Sequence, residues 1–280
     1  MTDGPTAGSE QGPEDEVEME FFEHLGELRT RLRNAILGSL PAIGVAWFFK
    51  EELLDWLLQP LVEAWEALNL GKPQIHFANP IDPFVAYLKI SIIVGLIASA
   101  PWLFWQLWAF IAPGLYRREK RLAVPFVLFS TVFFVGGVWF GYEVVFPLGF
   151  ETFLSFAGLL PSESIAVSPT LMINEYLGFA TRMLLAFGVV FEVPVINTFL
   201  SAVGLVTWRQ LLAFARWWIL IAAVLAAFLT PPDIASQLLM LVPLVALYFL
   251  SIGFAALFGI RHARQRSAEH EQAQSKGYER

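Results

Sequence analysis

Three acidic side chains are the candidates for chemistry in this sequence, because each lies inside or beside a long apolar stretch. Glu192 falls within the apolar run AFGVVFEVPV. A charged residue near the centre of a membrane helix costs roughly 2.5–3.5 kcal/mol, and it usually faces a bundle interior or a water-filled cavity. Arg182 stands ten residues earlier, about 15 Å of helical rise away, so the two side chains cannot pair directly. Glu192 is therefore predicted to have a functional role rather than a purely structural one.

Glu27 and Glu119 are the other two acidic candidates, and each stands among basic residues. Glu27 lies in FFEHLGELRTRL and Glu119 in FIAPGLYRREKR. For either acid alone, local charge balance is a sufficient explanation, such as an (i, i+4) helix pair between Glu27 and Arg31. Two fixed carboxylates on one side of a bundle could instead each accept a guanidinium fork, a bidentate contact that Lys cannot reproduce. The two acids together therefore indicate a docking site for two arginines.

The elements that must position these acids are membrane helices. Hydrophobic residues make up 56% of the 280-residue chain and charged residues only 15%, whereas soluble domains carry about 25% charged residues. A membrane helix needs about 20 mainly apolar residues. The apolar stretches predict six spans, at 33–49, 83–108, 123–146, 172–200, 213–230 and 235–258. The chain is thus predicted to be an all-α integral membrane protein whose last two spans are short.

Lysine and arginine in the short loops predict which side of the membrane each end occupies. One side receives most of the basic residues: Arg29, Arg31, Arg33, Arg117, Arg118, Lys120, Arg121, Arg209, Arg216, Arg261, Arg264 and Arg266. The other side receives only Lys50 and Lys72. Both termini are therefore predicted to be cytoplasmic, which also places Glu27 and Glu119 at the cytoplasmic border.

The chain is predicted to consist of a transmembrane domain at 17–260 and two polar tails. Residues 1–16 are rich in acid, glycine and proline, a composition typical of a disordered tail. Residues 261–280 form a polar tail on the same side. The tails are expected to lie in the cytoplasm.

The predicted outer loops differ in kind. Leucines at helical spacing in 51–68 predict one or two short amphipathic helices along the outer interface, with Pro60 interrupting the pattern. The second outer loop, at 147–171, contains three prolines and is predicted to be irregular.

The residue inventory gives little support to an enzyme. The chain has no cysteine, which excludes thiolate metal sites and cysteine nucleophiles. All four histidines lie outside the predicted spans, and no phosphate-binding loop or metal-ligand spacing is present. We therefore predict no catalytic residues, metal or cofactor. A proton-coupled small-molecule transporter that uses Glu192 stays open as an alternative, although the sequence shows no internal repeat.

Six motifs, in their order and spacing, make this sequence resemble a known family. They are HLGELR at 24–29 followed by RL at 31–32, SAP at 99–101, FIAPGLY at 110–116 running into Glu119, FPL at 146–148, FGVVFEVP at 187–194, and LTPPD at 229–233 followed by SQ at 236–237. Across about 21–258 the chain resembles the TatC family, the polytopic receptor subunit of the twin-arginine protein translocase. The resemblance implies a glove-like, concave bundle of six transmembrane helices in the bacterial cytoplasmic membrane, with both termini in the cytoplasm.

The resemblance also implies a function. The family's receptor subunit recognises signal peptides that carry consecutive arginines. Together with TatA- and TatB-like single-span partners, in an oligomeric complex, it transports folded proteins across the membrane. Transport is driven by the proton-motive force, without nucleotide hydrolysis, which agrees with the missing phosphate-binding loop.

Ten residues match positions that the family uses. The signal-peptide-binding positions are Glu27, Arg29, Phe110 and Glu119. The intramembrane polar positions, expected to meet the core of the signal peptide or the partner subunits, are Glu192, Asp233 and Gln237. Further motif positions are Pro60, Pro101 and Tyr142. The chain departs from the family at Phe249, where members often have an acid, and at Asp82, where Glu is commoner.

Overall fold

The computed structural model describes residues 13–71, 73–111, 123–159, 166–167, 169–229, 234 and 237–257. The helices are α1 (Pro13–Phe48), α2 (Lys50–Ala67), α3 (Asp82–Ala98), α4 (Ala100–Ile111), α5 (Ala123–Phe140), α6 (Phe146–Leu154), α7 (Ile173–Val190), α8 (Val193–Ala202), α9 (Trp208–Leu229) and α10 (Gln237–Leu257). A π-helical turn, Gly141–Val145, joins α5 to α6. Short strands β1 (Ile75–His76) and β4 (Leu171–Met172) pair in parallel, and β2 (Gly158–Leu159) pairs antiparallel with β3 (Ala166–Val167).

The helices confirm the all-α, six-span prediction. Among the described residues, four stretches are long and apolar enough to cross a membrane without a bend of more than 40°: Val124–Leu154, Ile173–Ala202, Trp208–Phe228 and Gln237–Leu257. Two bent pairs, α1 with α2 and α3 with α4, bring the number to six if each pair is one span. The last two spans have 21 residues each, against 31 and 30 for the two before them, so they are the short ones.

The division into a central domain and two tails stays a prediction. Residues 1–12 and 258–280 lie outside the described residues, and α1 begins at Pro13. The first predicted span, 33–49, is the final part of this 36-residue helix. The predicted interfacial segment 51–68 is one helix, α2, which turns by 80° away from α1.

The second span is broken, where the sequence predicted a continuous helix over 83–108. The chain leaves α3 at Ala98 and enters α4 at Ala100, with a bend of 58°. Pro101 supplies the physical reason. It has no N–H to donate to the carbonyl of Ile97, and its ring disfavours helical geometry at the preceding residue. A helix restarts readily at this point because proline is tolerated in a first turn.

The third span continues beyond its predicted end at 146, so the prediction of an irregular loop from 147 is wrong for the first part of that loop. The helix runs through Pro147 to Leu154. Pro147 cannot donate to the Glu143 carbonyl, and the helix widens just before it, where the Phe146 N–H bonds the Gly141 carbonyl in an i to i+5 pattern. The wide turn accommodates the proline without ending the helix.

The helix α7 lies at the centre of the bundle, with Leu177, Ala180 and Phe187 fully buried. Two glycines bring α5 and α7 close together. A Cβ at Gly137 would lie 2.5 Å from the Phe187 carbonyl oxygen, and one at Gly188 would lie 2.7 Å from the Phe134 ring. Small residues allow such close approach between membrane helices. This packing holds the end of α7 firmly against α5.

Candidate functional site

Glu27 forms the local ion pair that its spacing from Arg31 predicts. Glu27 Oε1 accepts hydrogen bonds from Arg31 Nη2 at 3.2 Å and from Arg31 Nε at 3.4 Å. Both side chains are half-buried. Arg31 thus holds the carboxylate in a fixed position on α1, while Arg29 is exposed on the same helix.

Phe110 lies next to this acid because α4 runs along α1. The Phe110 ring stacks on His24, one helical turn before Glu27, with ring centroids 4.5 Å apart. Trp102 Nε1 donates to the Asn34 carbonyl at 2.9 Å, which fixes the other part of α4 to α1. The structure therefore brings Phe110 and Glu27 to one end of the bundle, here called the docking end. Glu119 lies outside the described residues.

Glu192 stands where the fourth span breaks. The chain leaves α7 at Val190 and enters α8 at Val193. Pro194 is the local cause, because it has no N–H for the Val190 carbonyl and is tolerated in the first turn of a new helix. The Glu192 side chain is only 7% exposed, so the structure places this acid inside the bundle rather than on its surface.

Two residues that the sequence reasoning missed accompany Glu192. Ser130 on α5 lies beside the Glu192 side chain. Trp108 Nε1 on α4 donates to Ser130 Oγ at 3.2 Å. Glu192 Oε1 is buried, and none of the described residues is its hydrogen-bond partner. The sequence did contain a feature that could have identified Ser130, because it is a hydroxyl residue within the apolar run FVLFSTVFF.

Pro60 and Tyr142 were separate motif positions in the sequence, and the structure joins them. Pro60 lies inside α2 and cannot donate to the Trp56 carbonyl one turn earlier. The Tyr142 hydroxyl donates to this carbonyl at 2.7 Å, and the Tyr142 ring stacks on the Trp56 ring at 3.9 Å. Tyr176, which the sequence reasoning missed, donates to the adjacent Leu57 carbonyl at 2.5 Å. These contacts attach α2 to the third and fourth spans.

The remaining predicted positions either make contacts between helices, lie at a helix break, or fall outside the described residues. Gln237 Nε2 donates to the Ala223 carbonyl at 3.3 Å and so ties the start of α10 to α9. Pro101 lies at the break between α3 and α4, and Asp233 is outside the described residues. Within the described part of the chain, no group of three or more His, Asp or Glu side chains is arranged to hold a metal ion.

Comparison with known proteins identifies the family. A family model described as "Sec-independent protein translocase protein (TatC)" matches residues 23–243. The chain belongs to the TatC family. A TatC protein of Desulforapulum autotrophicum is 42% identical over 92% of this chain and 91% of its own length. One from Aquifex aeolicus is 34% identical over 84% of this chain and 93% of its own length.

Solved structures give the same result. A crystal structure of "Twin Arginine Translocase Receptor- TatC" has a TM-score of 0.70 and 34% identity, covering 84% of this chain and 99% of that one. A second, in DDM, has a TM-score of 0.72 and 33% identity, covering 83% and 99%. This TatC-family chain is therefore a multi-pass membrane protein of a Sec-independent protein translocase. The function is therefore that of a protein translocase, and the alternative prediction of a proton-coupled small-molecule transporter is wrong.

Proposed function

We propose that this TatC-family chain is the core receptor of a twin-arginine translocation system. It binds twin-arginine signal peptides at the docking end and, with TatA- and TatB-like single-span subunits, transports folded proteins using the proton-motive force. It lies in the bacterial cytoplasmic membrane with both termini in the cytoplasm. It has no catalytic step of its own.

The observation that carries this proposal is the fixed carboxylate of Glu27 beside Phe110. Arg31 engages Glu27 Oε1 and immobilises the carboxylate, which lowers the entropy lost when a ligand binds. Arg31 uses only Oε1, so a peptide guanidinium can direct two of its N–H groups at Oε2 in a charge-assisted contact. Glu119 supplies the second acceptor, and Arg29 and Phe110 complete the binding surface.

The apolar part of the bound peptide then passes into the membrane towards Glu192. Gln237 and Asp233, at the start of the sixth span, contact a single-span partner. Because Glu192 is buried, its contact with a peptide or partner requires a local rearrangement.

Peptide crosslinking to the full chain tests the docking assignment. A twin-arginine peptide with a photoreactive group should crosslink to the wild type, and Glu27→Ala combined with Glu119→Ala should abolish the arginine-dependent product. Twin-lysine peptide should bind at least about tenfold more weakly, because an ammonium cannot form the fork contact. Glu23→Ala is a matched control, since Glu23 is exposed on the same helix and should have no effect. Unchanged arginine-dependent crosslinking in the double variant would refute the assignment.

A further inference from the structure

An exposed stripe of charged and apolar residues runs along the fourth span. Glu175, Arg182 and Val189 lie on α7 at a spacing of seven, and Ile196 continues this spacing on α8; all four are exposed. A spacing of seven keeps residues on one side of a helix. The charged pair lies in the first part of α7, and the apolar pair follows it. This side of the span is therefore polar at one end and apolar over the rest of its length.

Arg182 is a cation within the span. It lies nine residues after Ile173, about 14 Å of helical rise from the start of α7. Its Nε donates to the Gly178 carbonyl at 2.6 Å, which turns the guanidinium back towards the start of the helix. Among the described residues, no carboxylate lies within ion-pair distance of Arg182. Charged side chains inside membrane spans are rare and mark binding or transport sites, so we infer that this guanidinium binds an anion.

Glu175 carries the opposite charge at the same end of the stripe. It is exposed two helical turns before Arg182, and no basic side chain in the described part of the chain pairs with it. Gly178 lies between them without a side chain, and a Cβ there would meet only Arg182 Nη2, at 3.8 Å. The guanidinium is turned back to the level of Gly178, about 5 Å of helical rise from Glu175. A ligand whose positive and negative groups are a few ångströms apart fits both residues.

Aromatic rings line a cavity beside Glu175. The cavity has a volume of about 340 Å³, and its walls include Glu175 and the rings of Phe150, Phe153, Tyr176 and Phe179. The Phe179 ring centroid is 6.1 Å from that of Phe150 and 6.1 Å from that of Phe153. The faces of such rings attract a cation within about 6 Å. A carboxylate next to aromatic walls therefore favours an ammonium group as the positive part of the ligand.

We propose that this stripe binds a zwitterionic phospholipid with a primary ammonium head group, of the phosphatidylethanolamine class. The planar fork of Arg182 contacts the phosphate, and Glu175 with the aromatic cavity holds the ammonium. An acyl chain lies along Val189 and Ile196. The site is at the end of the bundle where Tyr176 attaches α7 to α2, so it is separate from the docking end and independent of signal-peptide binding.

The order of polar and apolar residues selects a phospholipid over other zwitterions. A water-soluble zwitterion would use Glu175 and Arg182 but would leave Val189 and Ile196 without a partner. A phospholipid joins both charges to a chain that continues into the membrane in the same direction as the stripe. Phosphatidylglycerol has the phosphate and the chains but lacks the ammonium, so it is the natural comparison.

Native mass spectrometry of the full chain tests the head group. The protein is purified in mild detergent, stripped of lipid, and titrated with phosphatidylethanolamine or with phosphatidylglycerol that has the same acyl chains. The first molecule of phosphatidylethanolamine should bind about tenfold more tightly, the effect of one charge-assisted hydrogen bond. Equal affinity for the two lipids would overturn the head-group assignment.

Substitutions in the stripe test its location. Arg182→Gln should weaken the binding of both lipids about tenfold, because both contain the phosphate. Glu175→Gln should weaken only phosphatidylethanolamine and so remove the preference between the lipids. Both side chains are exposed, so each variant should keep the wild-type unfolding temperature in detergent.

Two exposed residues outside the stripe provide matched controls. Arg216→Gln removes an exposed arginine of α9, and Glu151→Gln removes an exposed acid of α6 that does not line the cavity. Neither should change the affinity for either lipid. If Arg182→Gln bound lipid as tightly as Arg216→Gln, or Glu175→Gln kept the preference seen with Glu151→Gln, the site would be overturned.

Discussion

Tyr142 supplies a hydrogen bond that a proline elsewhere in the chain removes. Pro60 leaves the Trp56 carbonyl without its helical donor, and a buried carbonyl without a partner costs about 1–3 kcal/mol. The Tyr142 hydroxyl takes the place of the missing N–H at 2.7 Å. The two residues therefore act together, although 82 positions separate them in the sequence.

Substitution of Tyr142 should reveal this coupling. Tyr142→Phe should destabilise the fold by about 1–3 kcal/mol, because it leaves the Trp56 carbonyl unpaired. In a Pro60→Ala background the amide newly present at position 60 can bond this carbonyl, so the same substitution should cost much less. The measurement is a double-mutant cycle on thermal unfolding in detergent.

Tyr87→Phe is the control for the loss of a hydroxyl, since the Tyr87 hydroxyl donates none of the hydrogen bonds in the described part of the chain. Equal losses from Tyr142→Phe in both backgrounds would show that Tyr142 stabilises the fold independently of Pro60.

Residue-scale features could be predicted from the sequence only where the partner is local. The Glu27–Arg31 pair follows from a spacing of four in a helix, and the structure confirms it. Glu192 was recognisable as an acid in an apolar run. Its neighbours Ser130 and Trp108 lie 62 and 84 positions away in the sequence. Their proximity depends on how α4 and α5 pack, and local sequence patterns do not predict this packing.

At the scale of elements, hydropathy predicted where the spans lie but not how they bend. A hydropathy window averages the hydrophobicity of side chains and does not register a missing backbone N–H. The breaks before Pro101 and Pro194 and the π turn before Pro147 all arise from that missing donor. Each proline was visible in the sequence, but the choice among a break, a kink and a wide turn is made by tertiary packing.

Two adjacent glycines in α5 provide a sharp test of element packing. Gly137→Ala should destabilise the bundle by about 1–3 kcal/mol, because its new methyl would be forced against the Phe187 carbonyl and the Phe191 side chain. Gly136→Ala meets nothing within 4 Å and should be neutral or slightly stabilising, since alanine favours a helix over glycine. Thermal unfolding of both variants in detergent gives the comparison. Equal effects of the two substitutions would contradict the close α5–α7 contact.

At the scale of the whole molecule, the candidate residues occupy three separate regions joined by long helices. Glu27 and Phe110 lie at the docking end, where α1 and α4 meet. Pro60, Tyr142 and Tyr176 lie beyond the other end of α1, where α2 attaches to the third and fourth spans. Glu192 lies on the fourth span at the α7–α8 break.

The orientation of the whole bundle is the remaining prediction, and the cysteine-free chain makes it directly measurable. The excess of Lys and Arg in the loops on the Glu27 side predicts that this side faces the cytoplasm. Single cysteines at Ser9→Cys and Ser275→Cys should then react with a membrane-impermeant maleimide only after spheroplasts are permeabilised. Glu66→Cys, at an exposed position of α2, should react in intact spheroplasts. Labelling of either terminal cysteine from outside would reverse the assignment, and it would also place Glu27 on the wrong side of the membrane to receive a signal peptide before export.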